Sequence, residues 1–426
     1  VIDTSSHGIS SHHVRMLAEE CLPHGADALI VFSGNNEWLN LHVQPPHPLL
    51  RRRLNAALMS SDFVRWLFLT MIEFGRVDLF APSADVALTA GRGGVSDAQM
   101  VARRVPHPAR VDAVWSARVL ENYRRNLEWI VEAAGRRNIP VVFLTLPANV
   151  ADWRPQASVH ALEGEALAAW QSAFRDALAL LFDGQAEEAA SALERLVDED
   201  PAHAEAQYYL GEALRLSGQP ARAAEHYEQA LIHDMNPLRA TPRTNNVVRE
   251  VAAAHDNARL VDLVPLFREQ SPDGLVGMNL FIDHVHFNQQ GNLLIAEQVY
   301  RALVDELDAF NNAMPFTYEP PVDPTTGMPY DETRDIALQS TMLWFYLHSR
   351  NWQHLPAVAP RVSNLYANHD GYVTREHQPL LPLGYVEALA PLAQELAALQ
   401  EAELSGRAVD TDRWVKIQSD LNMLQR

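Results

Sequence analysis

Cysteine is almost absent from this chain, and so is lysine. Cys21 stands alone among 426 residues, which excludes an intrachain disulfide and a cysteine-built zinc cluster. Lys416 is the single lysine among 34 basic residues, so arginine carries nearly all of the positive charge. Positive charge is itself short: 54 acidic residues leave the chain at −20. That balance argues against a broad, nonspecific surface for nucleic acid or for an anionic membrane. No apolar run approaches the ~18 residues of a membrane span, and no stretch reads as a signal peptide. The first residue is Val1, and Val1-Ile2-Asp3 reads as the end of a strand, so we expect a segment upstream of it. Any membrane tether would lie in such a segment.

What is present is ordinary globular composition, 47% hydrophobic and 21% charged, in a length that suits two or three domains. Ala28-Leu-Ile-Val-Phe32, between Gly25 and Ser33-Gly34-Asn35-Asn36, reads as a buried strand ending in a turn. A helix from about Ser11 to Cys21 precedes it, capped by Ser10 or Ser11. Ile139 to Thr145 is a second buried strand, following a helical pattern from about Asp112 to Arg137. Leu260 to Leu263 reads as a third strand, and Gln289 to Leu307 as a helix. Buried strands alternating with helices predict an α/β fold: a parallel sheet covered on both faces, with functional loops at the carboxyl ends of its strands.

The middle of the chain repeats itself. Gly184-Gln185 recurs 34 residues later as Gly218-Gln219, and the same offset relates Ala189-Ala190 to Ala223-Ala224, Glu194 to Glu228 and Asp200 to Asp234. A helical, alanine-rich period of 34 is the tetratricopeptide signature. Two units are fewer than the three or so that stand alone, so this pair is expected to lean on the rest of the protein. Pro315, Pro320, Pro321, Pro324 and Pro329 then mark an extended linker. Beyond it, Thr333 to Trp352 and Pro382 to Ser405 read as helices, with the apolar Thr341 to Leu347 as a core or docking segment.

Three loops carry candidate chemistry: Ser5-Ser6-His7-Gly8, Gly34-Asn35-Asn36-Glu37, and Asp283-His284-Val285-His286-Phe287-Asn288. In the third, an Asp and a His three apart let a carboxylate orient an imidazole whose other nitrogen accepts a proton. This order of motifs resembles the SGNH (GDSL-type) hydrolase superfamily, where a Gly-x-Asn loop after a central strand and a C-terminal Asp-x-x-His are two of four blocks. The match spans about Val1 to Glu165 and Thr241 to Phe310. The resemblance implies a three-layer αβα core over residues 1–165 and 241–310, a tetratricopeptide-like insertion over 166–240, and a linker with a helical region over 311–426.

It further implies ester or acyl-bond chemistry, on a small molecule or on a glycan or lipid, with no cofactor and no metal. His286 would be the general base and Asp283 its orienting carboxylate. Gly8 N–H and the Asn36 side chain would donate to the oxyanion. Gly34 and Asn35 in the same loop, and Asn149 at the carboxyl edge of the second strand, are the candidate substrate-side residues. Relatives of this kind are often bacterial and extracytoplasmic. The family's serine block precedes the glycine block, and no Gly-Asp-Ser-like sequence occurs here. The base and oxyanion donors are thus expected without the attacking group, which would lie upstream of Val1.

Each residue also has a plainer reading. Asn35-Asn36 suits a turn, and Asp283 suits a cap of the following helix. Asp283, His284 and His286 could ligate a metal with His7, His12 or His13. His284 reads as a surface or supporting residue, and Asn149 as a turn residue. Arg239 and Arg243 read as partners of surface carboxylates rather than of an anionic substrate. A second function class stays open: an inactive scaffold whose repeat unit binds a partner protein, while a transferase would use the same residues as the hydrolase.

Overall fold

The structure is a computed structural model that describes residues 9–38, 113–306, 316–319, 330–349, 351–368, 371, 381–408, 413 and 415–417. Val1 to Gly8 and the five linker prolines named above lie outside the described residues.

Helix dominates the described chain, and the sheet is small. Strands β1 (Leu29–Val31), β2 (Val141–Leu144) and β3 (Ala258–Val261) pair in parallel in that order, with Leu29 opposite Val141 and Val141 opposite Ala258. Central β2 is buried along its whole length, as an apolar run between two parallel neighbours must be. Strand periodicity then divides the core. Val141 and Phe143 pack with helices α1 (Ser11–Cys21), α2 (Ala113–Gly135) and α7 (Pro242–Ala254). Val142 and Leu144 face helices α8 (Leu263–Glu269) and α9 (Gln289–Glu306). β3 begins and ends two residues earlier than its apolar pattern suggests. The Thr145 hydroxyl donates to Asp262 Oδ1 at 2.7 Å and accepts the Leu263 N–H at 2.9 Å, turning the chain into α8.

Between β2 and β3 run α3 (Gly164–Phe182), α4 (Ala186–Glu199), α5 (Ala204–Leu216) and α6 (Pro220–His233). The 34-residue offset holds in three dimensions. Gly184 and Gly218 turn the chain at φ of 79° and 74°, Ala189 and Ala223 are fully buried at the helix contacts, and Asp200 and Asp234 are both 0% exposed.

The last described helices are α10 (Ile336–His348), α11 (Leu355–Asn368), α12 (Leu383–Leu389) and α13 (Ala393–Leu404). The apolar segment of α10 is core: Met342, Leu343 and Tyr346 join Trp153 and Leu238 in one buried cluster, with Met278 and Ile282 packed against it. No helix among the described residues is long and apolar enough to cross a membrane.

Candidate functional site

A short hairpin presents the Asp-x-x-His motif. Phe281 and Phe287 bridge antiparallel, Ile282 N–H donates to His286 O at 2.9 Å, and Asn288 N–H donates to Leu280 O at 3.1 Å. The Asp283 carboxylate fastens the tip. Its Oδ1 accepts the N–H groups of Val285 and His286, each at 2.8 Å, and its Oδ2 lies 2.6 Å from His286 Nδ1. Nδ1 is therefore the protonated nitrogen, and Nε2 becomes the proton-accepting atom of a ring whose side chain is 48% exposed. Burial alone would push Asp283 up, but the His286 and His284 rings and the backbone N–H outweigh it and hold the carboxyl far below its usual range. Asp283 does not cap α9. Asn288 does, its Oδ1 accepting the Gly291 N–H at 2.9 Å, and Glu332 adds a carboxylate to the Gln289 N–H at 2.7 Å.

His284 is buried rather than at the surface. Its ring stacks on Trp153 with centroids 5.0 Å apart, and its Nδ1 lies 3.6 Å from Asp283 Oδ1 with no hydrogen-bond partner. Burial lowers its pKa to about 4, so this imidazole is neutral near pH 7.

The loop after β1 adjoins the hairpin through Phe32, stacked on Phe287 at 5.8 Å. Asn36 Nδ2 donates to Ile9 O at 3.1 Å, which ties this loop to the chain just after Gly8; Gly8 itself lies outside the described residues. Gly34 has φ of 149°, and a Cβ there would stand 2.9 Å from the Tyr123 hydroxyl oxygen. Glycine is thus required where the chain leaves the strand.

Two proposed substrate-side residues have other uses. Asn35 Oδ1 accepts the Ala240 N–H at 2.8 Å. Asn149 is fully buried; its Nδ2 donates to Asp283 O at 2.9 Å and its Oδ1 accepts the Asp152 N–H at 3.0 Å. The Asn149 amide joins loops rather than facing a ligand. Arg239 also departs from expectation. It is 2% exposed, donates to the carbonyls of Asn149 and Trp153, and pairs with buried Asp234 instead of a surface carboxylate. Arg243 is exposed.

The C-terminal helices reach the same place. Tyr346 donates to Ile282 O at 2.9 Å, and the Phe345 ring lies 6.5 Å from that of His286. Nothing in the sequence marked Phe345 as a neighbour of the hairpin. The Asn288-x-x-Gly291 spacing, by contrast, was a readable cap signal. A separate pocket at the carboxyl end of β2 is bordered by Pro147, Asn245, Arg249 and Arg268, with neither Asp283 nor His286 in its lining. Among the described residues, no three His, Cys, Asp or Glu side chains gather as a metal-binding group.

Comparison with known protein families finds the tetratricopeptide repeat over residues 174–240, a repeat that commonly mediates protein–protein interaction. No curated protein and no solved structure matches the chain.

Proposed function

We propose that the α/β half of this chain is a serine-type hydrolase of the SGNH kind, cleaving an ester or acyl bond of a small molecule, glycan or lipid. The observation that carries the reading is the 2.6 Å contact between Asp283 Oδ2 and His286 Nδ1, which fixes the tautomer of a half-exposed base. In the proposed reaction His286 Nε2 takes the proton of the attacking hydroxyl as its oxygen bonds to the acyl carbon. The carbonyl electron pair moves onto oxygen, where the Asn36 amide and the Gly8 N–H would donate to it. Such donors contribute about 2.7–4 kcal/mol each in a well-studied case. His286 then returns the proton to the leaving oxygen as that bond breaks, and water or a sugar hydroxyl resolves the acyl intermediate by the same proton route. In the family this chain resembles, the attacking serine belongs to a block ahead of the glycine loop.

The test is hydrolysis of p-nitrophenyl acetate by the full-length gene product. His286→Ala and Asp283→Asn should each lower kcat/KM by about 10²–10⁴-fold, the range expected for positioned acid–base catalysis, with the far-UV circular dichroism unchanged. Unaltered turnover in both variants rejects the reading.

A second reading is a binding protein whose repeat unit engages a partner while the α/β half serves as an inactive scaffold. The tetratricopeptide match over residues 174–240 favours it and is silent on catalysis. A folded full-length protein that neither turns over the ester nor reacts with a fluorophosphonate leaves this second reading standing.

A further inference from the structure

Four buried polar groups run without a break from the end of the second repeat to the Asp–His hairpin. Asp234 closes the repeat, its Oδ2 3.8 Å from the Arg239 guanidinium. Arg239 donates to the carbonyls of Asn149 and Trp153. Asn149 donates through its side chain to Asp283 O at 2.9 Å and through its backbone N–H to His284 O at 3.3 Å. Asp283 in turn holds His286.

The segment leaving Asn149 is itself gripped by the repeats. Tyr208 on α5 donates to Ala151 O at 3.0 Å. Arg154 reaches the Tyr209 hydroxyl at 3.4 Å and Glu205 at 3.5 Å, and Glu205 N–H donates to Ser158 Oγ at 2.9 Å. Asp234 accepts the N–H groups of Gln156 and Ala157 at 3.1 and 3.2 Å. One repeat earlier, Asp200 accepts the Ala161 N–H at 3.4 Å and lies 3.0 Å from His160 Nδ1. The His160 ring packs at 4.8 Å against Trp170 of α3. Thus the same position of each repeat supplies one buried carboxylate, and both receive the backbone of a single segment. A carboxylate that accepts two or three N–H groups is a strong acceptor that needs no matching side chain.

We propose that residues 151–163 are the repeat pair's own bound peptide, and that Asp234, Arg239 and Asn149 are positioning residues through which the pair sets the Asp283–His286 hydrogen bond. The unit then acts inward. A partner protein that competes for α3 and α5 draws this segment away and is felt at His286. The catalytic consequence rests on the proposed role of His286, whereas the relay itself can be tested without turnover.

The probe is the downfield Nδ1 proton resonance of His286 in the full chain, read with amide hydrogen exchange over 281–288. Asp234→Asn removes one charge of the relay. Ala157→Pro with Ala161→Pro removes two donors of the gripped segment, both bonded to the repeats rather than to the hairpin, and Arg154→Ala removes its guanidinium without touching the backbone. Each should shift or erase the His286 resonance and raise exchange over 281–288 about tenfold, as a local opening does. Arg222→Ala, which breaks the exposed pair with Glu194, should change neither. Should the first variant unfold, the other two decide. The relay is overturned if 151–163 exchanges freely in a folded variant while His286 keeps its resonance. It is overturned equally if Arg222→Ala has the same effect. Resonance lost with ester turnover intact would preserve the relay and reject His286 as the base.

Discussion

Glu37 caps helix α1 from another loop. Its Oε1 accepts the Ser11 N–H at 2.8 Å and its Oε2 accepts the Ser11 hydroxyl at 2.8 Å, while the Ser11 oxygen receives Asn126 Nδ2 at 3.0 Å. Ser10 sits at the N-cap position, yet its side chain makes no capping bond. The loop after β1, helix α1 and helix α2 are therefore joined at a single buried carboxylate, one residue beyond Asn36.

Replacing Glu37 with alanine takes the acceptor from two buried donors, the Ser11 N–H and the Ser11 O–H, at a cost of about 1–3 kcal/mol. Glu37→Gln should cost less, since an amide can accept the N–H and donate to the Ser11 oxygen. The pH dependence has a definite sign. Burial raises the Glu37 pKa against the pull of Ser11, so the folded state binds this proton more tightly than the unfolded chain. The contribution of Glu37 is full below its ordinary value and declines as pH rises through the raised one. Urea titrations from pH 4 to 8 should show the wild type losing ground to Glu37→Gln as pH rises. A constant gap contradicts the burial argument.

The repeat was legible because it rests on periodicity, and the central strand because it is an unbroken apolar run. The first strand, read as buried from Ala28 to Phe32, instead leaves Ile30 44% and Phe32 38% exposed. The 34-residue offset and the Ile139 to Thr145 run are local patterns that tertiary packing reinforced. The Asp283–His286 pair was legible because three residues of spacing fix its reach. Arg239 was not, since an arginine beside prolines carries no sign that its neighbours will be buried carbonyls. Nor was α11, where Pro356 and Pro360 suggest a broken segment. Pro356 falls in the first turn, where a missing N–H costs nothing, and Pro360 is held inside by packing of Leu355, Val358, Ala359 and Val362. Third-strand bounds failed for a related reason, as the Thr145 hydroxyl ends β3 from across the sheet.

Gly211 sets how closely α5 approaches α6. A Cβ there would stand 2.9 Å from two ring carbons of Tyr227, whose ring is fully buried and whose hydroxyl donates to Glu212. Alanine ordinarily stabilises a helix by about 1 kcal/mol over glycine, but overpacking costs about 1–3 kcal/mol. Gly211→Ala should therefore lower stability despite its better propensity, and adding Tyr227→Leu should recover part of the loss. Additive effects in a double-mutant cycle would show that the two positions do not share the contact.

Gly291 matters for a harder reason. A Cβ there would meet the Leu280 carbonyl oxygen at 2.4 Å, and backbone cannot swing aside as a ring can. Gly291→Ala should push α9 off the base of the hairpin, weaken the Asn288 cap, and release the Asp283–His286 contact. The expected readout is loss of the His286 Nδ1 resonance at a temperature where α3 to α6 remain protected from exchange. Retention of that resonance would mean that the hairpin tolerates a shift of its helix.

Acid should weaken the folded chain in two stages, and the groups responsible can be separated. Burial lowers His284 to about 4, with His286 and Arg239 pushing the same way and Asp283 opposing. Burial likewise lowers His203 to about 4, where the neutral ring accepts the Ala206 N–H as the cap of α5. Both imidazoles bind fewer protons folded than unfolded. Stability is therefore lost as pH falls from the ordinary value of 6.5 toward 4, on the order of 3 kcal/mol for each. Asp283 adds the second stage: its depressed pKa contributes stability above the ordinary carboxylate value, and that contribution disappears as pH falls below it. His284→Phe keeps a flat ring on Trp153 and removes the titration. Guanidinium denaturation should therefore show the variant gaining on the wild type between pH 6.5 and 4, and a steady difference above 6.5. Below pH 4 both should decline because both retain Asp283, the variant less steeply, since it lacks the His284 ring that helps to depress that carboxyl. Parallel curves through the upper range would mean that the His284 ring takes up its proton in the folded state, against the cost of its burial.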